Sequence, residues 1–412
     1  MLNKLEAALC HAVEETFERE QIPWFARLVE QSSFTDARED VEAAAAIIDT
    51  QADHIGLLRE VVADPQGVFA DHRVYSTPAV RDEDQALALV GHCDTVYPRS
   101  MGFLQFQRDS PDATSGGDRV RGPGVLDMKS GLSVIVFGLQ AVSQVAPDVF
   151  SQMKLRFFCN TDEEVGSPSS RALFERFAPK ISGALVFEGG RDEDLIITAR
   201  KGTGAFTLTV TGRSAHAGND HESGVNAIHA LALLIPKVEA LTDYSQGATT
   251  NVGTISGGSS KNTVPGEATC VIDVRVTSAA EACRIQSALE KLAEDPFAGL
   301  ENVSERLRQV RVTLGGSMRR PPLEPTPRSQ RLRDEYERTA EKVGLGIGEA
   351  PLQGGGSDAN SLAACGVPTI DGLGPYGKAF HSPDEWSSLD SLKRRTQALA
   401  CFLAATCESR DT

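Results

Sequence analysis

The chain has 412 residues, with 41 Lys or Arg against 57 Asp or Glu, and a formal net charge of −16 at pH 7. This length indicates two or three domains, and an acidic chain without a dense basic run is a poor partner for nucleic acid. Its 41% hydrophobic content is typical of a soluble globular protein, and no apolar stretch approaches the ~20 residues of a membrane span, so we expect no membrane partner.

The N-terminal region is predicted to be helical. Apolar residues recur at helical spacing over residues 2–17. A second helix is predicted over 37–58, with Thr35 or Asp36 as its N-terminal cap. Residues 1–20 carry several glutamates and no apolar core segment, so we expect no signal peptide there.

The next part of the chain alternates short apolar strands with helices. The predicted strands, each followed by polar residues, are Ala86–Gly91, Met153–Cys159 and Ala184–Phe187. An apolar stretch of helical length, Ser130–Val142, lies between the first two of them. This alternation predicts an α/β domain in which helices flank a mixed, largely parallel sheet.

From residue 201 the pattern changes to β-α-β-β-α-β, the order of a ferredoxin-like domain. Its predicted elements are Ala205–Thr211, Val225–Leu241, Thr250–Ile255, Ala268–Val276, Ala280–Leu292 and Val310–Leu314. A proline-rich return linker, a helix, a glycine loop and a second helix follow at 319–327, 328–343, 354–356 and 358–365. We therefore predict a discontinuous α/β domain (1–200 and 316–412) that carries an inserted α+β domain (201–315).

The eight cysteines stand singly in the sequence, without a Cys-x-x-Cys pair. This spacing argues against a zinc ribbon and against a disulfide framework, and it fits a reducing compartment. We therefore expect a cytoplasmic protein.

Polar residues collect where the predicted strands end. The imidazoles and carboxylates in such positions, with one histidine from a late loop, are His92, Asp94, Asp127, Glu163, Glu164, Glu188 and His381. Because ligands bind outside the carboxyl ends of strands in open α/β sheets, we expect these side chains to converge. Crowded carboxylates need a compensating charge, which divalent cations supply. Such ligands suit Zn²⁺ best, with Co²⁺ or Mn²⁺ as alternatives, and their number suits a bridged pair of ions.

Five sequence motifs run in a fixed order from about residue 87 to residue 386. They are His92–Pro98, Gly122–Asp127, Thr161–Ser167, Ala215–Gly218 and Gly355–Asp358. Taken together around an inserted domain, they resemble the motifs of the M20 metallopeptidase family, and of its glutamate carboxypeptidase branch in particular. The resemblance implies a dizinc hydrolase with a metal-bridging water as nucleophile, and an inserted domain that serves as lid and dimerisation element.

For the metal site, the resemblance implies a role for each converging side chain. The implied ligands are His92 and Glu188 for one zinc ion, Glu164 and His381 for the other, and Asp127 as the bridge between them. Glu163 would be the general base, and Asp94 would hold the second ring nitrogen of His92.

In the inserted domain, the resemblance implies a second polar set. His216 would polarise the scissile carbonyl in the other subunit of a homodimer, and Asn262 and Arg275 would hold the free carboxylate of the substrate. Gly355 and Gly356 would let backbone amides approach the substrate closely, because neither residue has a Cβ atom.

Several of these residues also fit other interpretations. The rivals are a helix cap for Asp127, a solvated acidic turn for Glu163 and Glu164, a surface position for His381, an exposed strand cation for Arg275, His221 in place of His216, and one of residues 192–194 in place of Glu188. Two positions depart from the branch: Gly189-Gly190-Arg191 after the last carboxylate ligand, and Met128 after the bridging aspartate. These departures leave one wall of the substrate pocket and the local metal environment unassigned.

The leading hypothesis is a dizinc hydrolase that cleaves an amide bond next to a free C-terminal carboxylate, with a small molecule or short peptide as substrate. The first alternative is an N-acyl amino acid deacylase, or a di- or tripeptidase, on the same scaffold. An alternative of another class is a non-catalytic binding protein on a degenerate hydrolase fold.

Overall fold

The computed structural model describes residues 2–109 and 118–408, so the ends of the predicted catalytic domain, residue 1 and residues 409–412, lie outside it. The chain forms two compact units. The larger unit comprises Met1–Thr198, Pro325–Leu352 and Ser357–Thr412, and the smaller unit comprises Ala199–Glu324 and Gln353–Gly356. The smaller unit extends past the boundary predicted at residue 315 because the last strand of its sheet continues to Arg320. It also includes the glycine loop that the sequence analysis assigned to the other domain.

Helices and strands alternate through most of the described chain. The α-helices are α1 (Lys4–Thr16), α2 (Ile22–Glu30), α3 (Arg38–Ile55), α4 (Lys129–Val145), α5 (Pro147–Gln152), α6 (Ser170–Phe177), α7 (Ala227–Glu239), α8 (Ala279–Glu294), α9 (Pro327–Ala340), α10 (Asp358–Ala364) and α11 (Leu389–Glu408). The strands are β1 (Leu58–Val62), β2 (His72–Ser76), β3 (Ala86–His92), β4 (Gln107–Asp109), β5 (Arg119–Arg121), β6 (Leu155–Asn160), β7 (Ile181–Val186), β8 (Gly202–Thr211), β9 (Ala215–His216), β10 (Thr249–Gly257), β11 (Thr263–Val264), β12 (Glu267–Val276), β13 (Arg311–Arg320), β14 (Thr369–Ile370), β15 (Gly377–Lys378) and β16 (Trp386–Ser388). Among these helices, none combines the length and the apolarity needed to cross a lipid bilayer.

The larger unit is built on a six-stranded sheet in the order β1-β2-β6-β3-β7-β14. Strands β3, β6, β7 and β14 run parallel, while at one edge β2 pairs antiparallel with β6 and β1 pairs antiparallel with β2. The central parallel strands are buried along almost their whole length, as in sheets that helices cover. The predicted mixed, largely parallel sheet is confirmed, although the sequence analysis did not find β1 and β2.

Helix α4 packs directly against this sheet. Its residues from Lys129 to Val142 are all buried, and it contacts β3, α1, α3 and α11. Gly131 approaches the segment after β7 so closely that a Cβ atom there would collide with the carbonyl oxygen of Phe187. This close approach brings the N-terminal end of α4 to the edge of the sheet where the parallel strands end.

The smaller unit contains a four-stranded antiparallel sheet in the order β10-β12-β8-β13. Along β12 the side chains alternate between buried and more exposed positions, which leaves one apolar face. Helices α7 and α8 pack on that face and complete an apolar cluster. The chain order β8-α7-β10-β12-α8-β13 confirms the predicted ferredoxin-like pattern.

Replacing Gly131 with alanine tests how tightly α4 packs on the sheet. The added Cβ atom would push α4 away from the backbone of Phe187, so we expect a loss of unfolding free energy of about 1–3 kcal/mol in urea denaturation. Ser130→Ala is the matched control, because the buried Ser130 hydroxyl has no hydrogen-bond partner in the described part of the chain. A Gly131→Ala protein as stable as the parent would contradict the close packing.

Candidate metal centre

Three loops that follow parallel strands open at the same edge of the sheet. His92 at the end of β3 stands opposite Asn160 at the end of β6, and β7 ends beside them at Val186. The segments that follow β6 and β7 carry Glu163–Glu164 and Glu188. Because neighbouring parallel strands end together, these carboxylates are brought close to His92.

Asp127 and His381 reach this edge from other parts of the chain. Asp127 lies just before α4, whose N-cap position is occupied by Met128 without a side-chain cap bond. The rival interpretation of Asp127 as the helix cap is therefore wrong. His381 lies in the loop between β15 and β16, and its side chain is 54% exposed.

The carboxylate of Asp127 lies between two imidazole rings. Its Oδ1 atom is 3.3 Å from Nε2 of His92, and its Oδ2 atom is 3.2 Å from Nε2 of His381. Each ring nitrogen has a second carboxylate beside it: Glu188 Oε1 at 3.6 Å in the first case, and Glu164 Oε2 at 3.2 Å in the second. These side chains form two half-sites that share Asp127: the His92 half-site, with Glu188, and the His381 half-site, with Glu164.

The donor atoms of this cluster fit divalent cations. Ligand atoms of His92, Asp127 and Glu164 lie within 4.8 Å of one another, and the same holds for His92, Glu163 and Glu188. His92 Nε2 and Glu164 Oε1 are buried and form no hydrogen bond with any described residue. Buried polar atoms need a partner, and imidazole nitrogen with carboxylate oxygen is a donor set that zinc accepts.

The groups of the cluster shift one another's pKa values. Burial raises the pKa of Glu164 to about 8 and holds the pKa of Glu188 well above its usual range. Hydrogen bonds with Asp127 and Glu164 raise the pKa of His381 to about 11. Burial acts to raise the pKa of Asp127, but the neighbouring imidazoles of His381 and His92 outweigh it and hold that pKa far below its usual range. Burial thus acts against ionisation of the two glutamates, whereas the two imidazoles favour ionisation of Asp127.

Asp94 connects His92 to the loop that carries the two glutamates. Nδ1 of His92 lies 3.0 Å from the backbone carbonyl oxygen of Asp94 and 3.3 Å from its Oδ1 atom. The same carboxylate accepts hydrogen bonds from the backbone N–H groups of Glu163 (3.3 Å) and Glu164 (3.2 Å) and from the Thr35 hydroxyl (2.8 Å). The predicted capping of α3 by Thr35 or its neighbour is wrong, since that helix has no side-chain cap and Thr35 binds Asp94 instead.

Glu385, four residues after His381, was not among the predicted site residues. Its fully buried carboxylate accepts hydrogen bonds from the backbone N–H groups of Leu126 and Asp127 and from the hydroxyl of Tyr97. Burial raises the pKa of Glu385 to about 7. In the sequence it belongs to a turn-like polar stretch, and only its position close after a predicted ligand could have singled it out.

In the smaller unit, His216 ends β9 and its ring is held by a turn. Nδ1 of His216 accepts hydrogen bonds from the backbone N–H groups of Gly218 (3.2 Å) and Asn219 (3.0 Å). Because Nδ1 is an acceptor, the proton of the neutral ring is on Nε2, which gives this exposed side chain an N–H donor. The rival His221 begins the short turn His221–Ser223 that follows.

Asn262 and Arg275 lie at opposite ends of β12 in the smaller unit: Asn262 precedes the first residue of that strand, and Arg275 is its penultimate residue. Pairing of β9 with β11 brings the carbonyl oxygen of Asn262 within 2.9 Å of the backbone nitrogen of Ala217, next to His216. Arg275 on β12 forms a two-point ion pair with Asp273, with Nε–Oδ2 at 2.9 Å and Nη2–Oδ1 at 3.2 Å. One edge of the guanidinium group is therefore occupied by Asp273, and Nη1 lies 3.5 Å from the carbonyl oxygen of Gly354.

Gly355 and Gly356 belong to the smaller unit together with Gly354. The carbonyl oxygens of Gly354 and Gly355 accept hydrogen bonds from Arg275 Nη1 (3.5 Å) and Arg200 Nη1 (3.2 Å). A Cβ atom on Gly354 or Gly355 would meet no described atom within 4 Å. Local packing therefore does not require glycine at these two positions.

Comparisons with known proteins agree with this geometry. Residues 198–301 match the family model M20_dimer, described as a peptidase dimerisation domain. Carboxypeptidase G2 of Pseudomonas sp. (strain RS-16) is 30% identical over 312 residues, which cover 75% of this chain and 71% of that protein. Succinyl-diaminopimelate desuccinylase 2 of Shewanella loihica is 29% identical over 245 residues, 55% of this chain and 63% of that protein.

A solved structure gives the same fold. The YXEP protein of Bacillus subtilis, described as a dinuclear metal binding peptidase from the M20 family, superposes with a TM-score of 0.68 and 16% sequence identity over 96% of this chain and 99% of that one. With the identity to carboxypeptidase G2 over most of both chains, the resemblance found in the sequence is confirmed. The chain belongs to the M20 peptidase family and is a hydrolase.

Proposed function

We propose that this hydrolase uses two zinc ions to cleave an amide bond next to a free C-terminal carboxylate, with a glutamate-type residue as the leading candidate for the released amino acid. One observation carries the proposal: the two oxygen atoms of Asp127 each face a different imidazole, at 3.3 Å from His92 and 3.2 Å from His381. A carboxylate in that position is suited to bridge two cations. The identity to carboxypeptidase G2 supports the choice of substrate class.

The proposed ligands follow from the two half-sites. His92 and Glu188 would hold one ion, His381 and Glu164 would hold the other, and Asp127 would bridge them. Cations bound in this way polarise a water molecule and the scissile carbonyl group, and so make hydrolysis feasible near neutral pH. Co²⁺ or Mn²⁺ would also suit this donor set.

Glu163 is the proposed general base. Glu163 and Glu164 lie in one short turn, Glu163–Val165, and their carboxylates lie close to different partners. The Glu164 carboxylate lies 3.2 Å from His381, whereas that of Glu163, which is 7% exposed, groups with His92 and Glu188. One glutamate would thus bind metal, while the other takes a proton from the attacking water and passes it to the leaving nitrogen.

Substrate recognition is assigned to the smaller unit. Arg275 would bind the free carboxylate together with an Asn262 from the other subunit, since the two residues lie at opposite ends of β12 within one chain, and the backbone at Gly355 and Gly356 would lie against the substrate. His216 would donate its Nε2–H group to the scissile carbonyl oxygen in the other subunit of a homodimer. The match of residues 198–301 to a dimerisation domain supports that assembly.

A second candidate function keeps the metal centre and changes the acyl group. The 29% identity to a desuccinylase favours an N-acyl amino acid deacylase as this alternative. A cytoplasmic location stays a prediction from the spacing of the cysteines. All cysteines whose side chains the structure describes are free thiols, which supports that prediction.

Metal removal tests the two half-sites. Elemental analysis should find about two zinc ions per chain, and a chelator should abolish hydrolysis until Zn²⁺ or Co²⁺ is restored. His381→Ala should bind one ion fewer, whereas the control His11→Ala, at an exposed histidine beside Glu15, should bind as the parent does. A reconstituted parent protein without any zinc would favour the non-catalytic binding protein.

The neighbouring glutamates provide a matched pair of variants. Glu163→Gln should keep both zinc ions and lose turnover by ~10²–10⁴-fold, because it removes the proton acceptor. Glu164→Gln removes the same charge one residue away and should lose the ion of the His381 half-site. Turnover and zinc content are measured on the same preparations. Loss of zinc from Glu163→Gln would make Glu163 a ligand, and normal turnover would exclude it as the base.

A substrate panel tests the carboxylate preference. The panel pairs acyl-glutamates with their α-amides and includes N-acyl amino acids and di- and tripeptides. Arg275→Ala should raise KM for the free-carboxylate substrates by about 10–100-fold with little change in kcat, because charged hydrogen bonds contribute ~1.5–3 kcal/mol. Arg311→Ala, at an exposed arginine of the same sheet, is the control. Equal KM values for acid and amide substrates would contradict carboxylate recognition by Arg275.

A further inference from the structure

The side chain of Glu385 is fully buried and binds the loop that carries Asp127. Its Oε1 atom accepts two hydrogen bonds, from the backbone N–H groups of Leu126 (2.7 Å) and Asp127 (3.0 Å). Its Oε2 atom accepts a third from the hydroxyl of Tyr97. These three donors converge on one side chain, and two of them belong to the backbone around the residue whose side chain lies between two imidazoles.

Two consecutive N–H groups meet one oxygen atom because the loop before Asp127 turns sharply. Gly122 and Gly124 in this loop have positive φ angles of 153° and 75°. A Cβ atom on Gly124 would lie 2.9 Å from the Thr95 side chain and 3.1 Å from the carbonyl oxygen of Asp127, so the turn is also tightly packed. Without Glu385, two buried N–H groups would lose their acceptor, which would favour a different loop conformation.

The loop that carries Glu385 also carries His381. Nε2 of His381 lies 3.2 Å from Oδ2 of Asp127, and Glu385 binds the backbone N–H group of the same aspartate. This loop therefore holds Asp127 at two points, its carboxylate and its backbone. The hydroxyl of Tyr97 lies 3.1 Å from the carbonyl oxygen of Ser382 and also contacts Glu385, which ties the loop to the segment after β3.

We propose that Glu385 is a positioning residue of the metal centre, which sets the carboxylate of Asp127 between the two half-sites and holds it in place relative to His381. The inference rests on the proposed function through the assignment of Asp127 as the bridging ligand. His92 and Glu188 follow strands β3 and β7, whereas His381 comes from the loop of Glu385 itself. Loss of Glu385 therefore weakens binding of the ion in the His381 half-site more than binding of the ion in the His92 half-site.

Cobalt titration of the metal-free full chain tests this proposal, by calorimetry and by the visible absorption of the bound ion. Glu385→Gln should bind its first Co²⁺ ion almost as the parent does and its second about 10–100-fold more weakly, with a changed visible spectrum for that ion. Tyr97→Phe should change the second affinity in the same direction by a smaller factor. Asp384→Asn, at the exposed carboxylate that directly precedes Glu385, should bind both ions with the affinities of the parent.

A purely structural role for Glu385 predicts a different result. It would lower the unfolding midpoint of the metal-free protein while both Co²⁺ affinities and the spectrum stay unchanged, and that result overturns the proposal. If Glu385→Gln does not fold, unchanged Co²⁺ affinities in Tyr97→Phe overturn it equally. A parent protein that binds fewer than two Co²⁺ ions overturns the two-ion centre together with this inference, so the two failures are distinguishable.

Discussion

The site depends on one buried carboxylate, that of Asp127, which stands between two imidazoles. Its oxygens lie 3.3 Å from His92 and 3.2 Å from His381, and Glu164 and Glu188 add further carboxylates beside the same ring nitrogens. Acidic groups this close repel one another unless positive charge lies among them. The proposed pair of cations would supply that positive charge. The fold of the larger unit brings the acidic groups together.

Two kinds of contact hold the loops of the metal centre. Parallel strands that end together direct the loops that follow them to one edge of the sheet, and Gly131 lets α4 approach the backbone at Phe187. Carboxylates then bind the loops through backbone N–H groups: Asp94 binds those of Glu163 and Glu164, and Glu385 binds that of Asp127. Backbone N–H groups have no rotamer freedom of their own, so such bonds fix the path of a loop and leave its side chains free for ligands.

Hydrogen bonds within the smaller unit fix the tautomer of the neutral His216 ring and the orientation of the Arg275 side chain. The turn after His216 occupies Nδ1, so the neutral ring presents an N–H donor. Asp273 occupies one edge of Arg275 through two hydrogen bonds, which restricts the rotamers of that long side chain. A guanidinium group ordered in advance loses less entropy when it binds a carboxylate. Donors of this kind suit recognition of a charged substrate, whereas the candidate metal centre lies in the larger unit.

The sequence by itself determined the sheet type, the ferredoxin-like pattern and those residues of the candidate metal centre that follow parallel strands, because polar residues after such strands meet at one edge of the sheet. The Asp273–Arg275 ion pair could also have been predicted from the sequence, because residues two apart share a face of a strand. Only the tertiary structure decided that Thr35 binds Asp94 and that Glu385 binds the loop of Asp127. The physical reason is that local spacing reports which side chains share a face, whereas a hydrogen bond between groups 258 residues apart exists only in the folded chain.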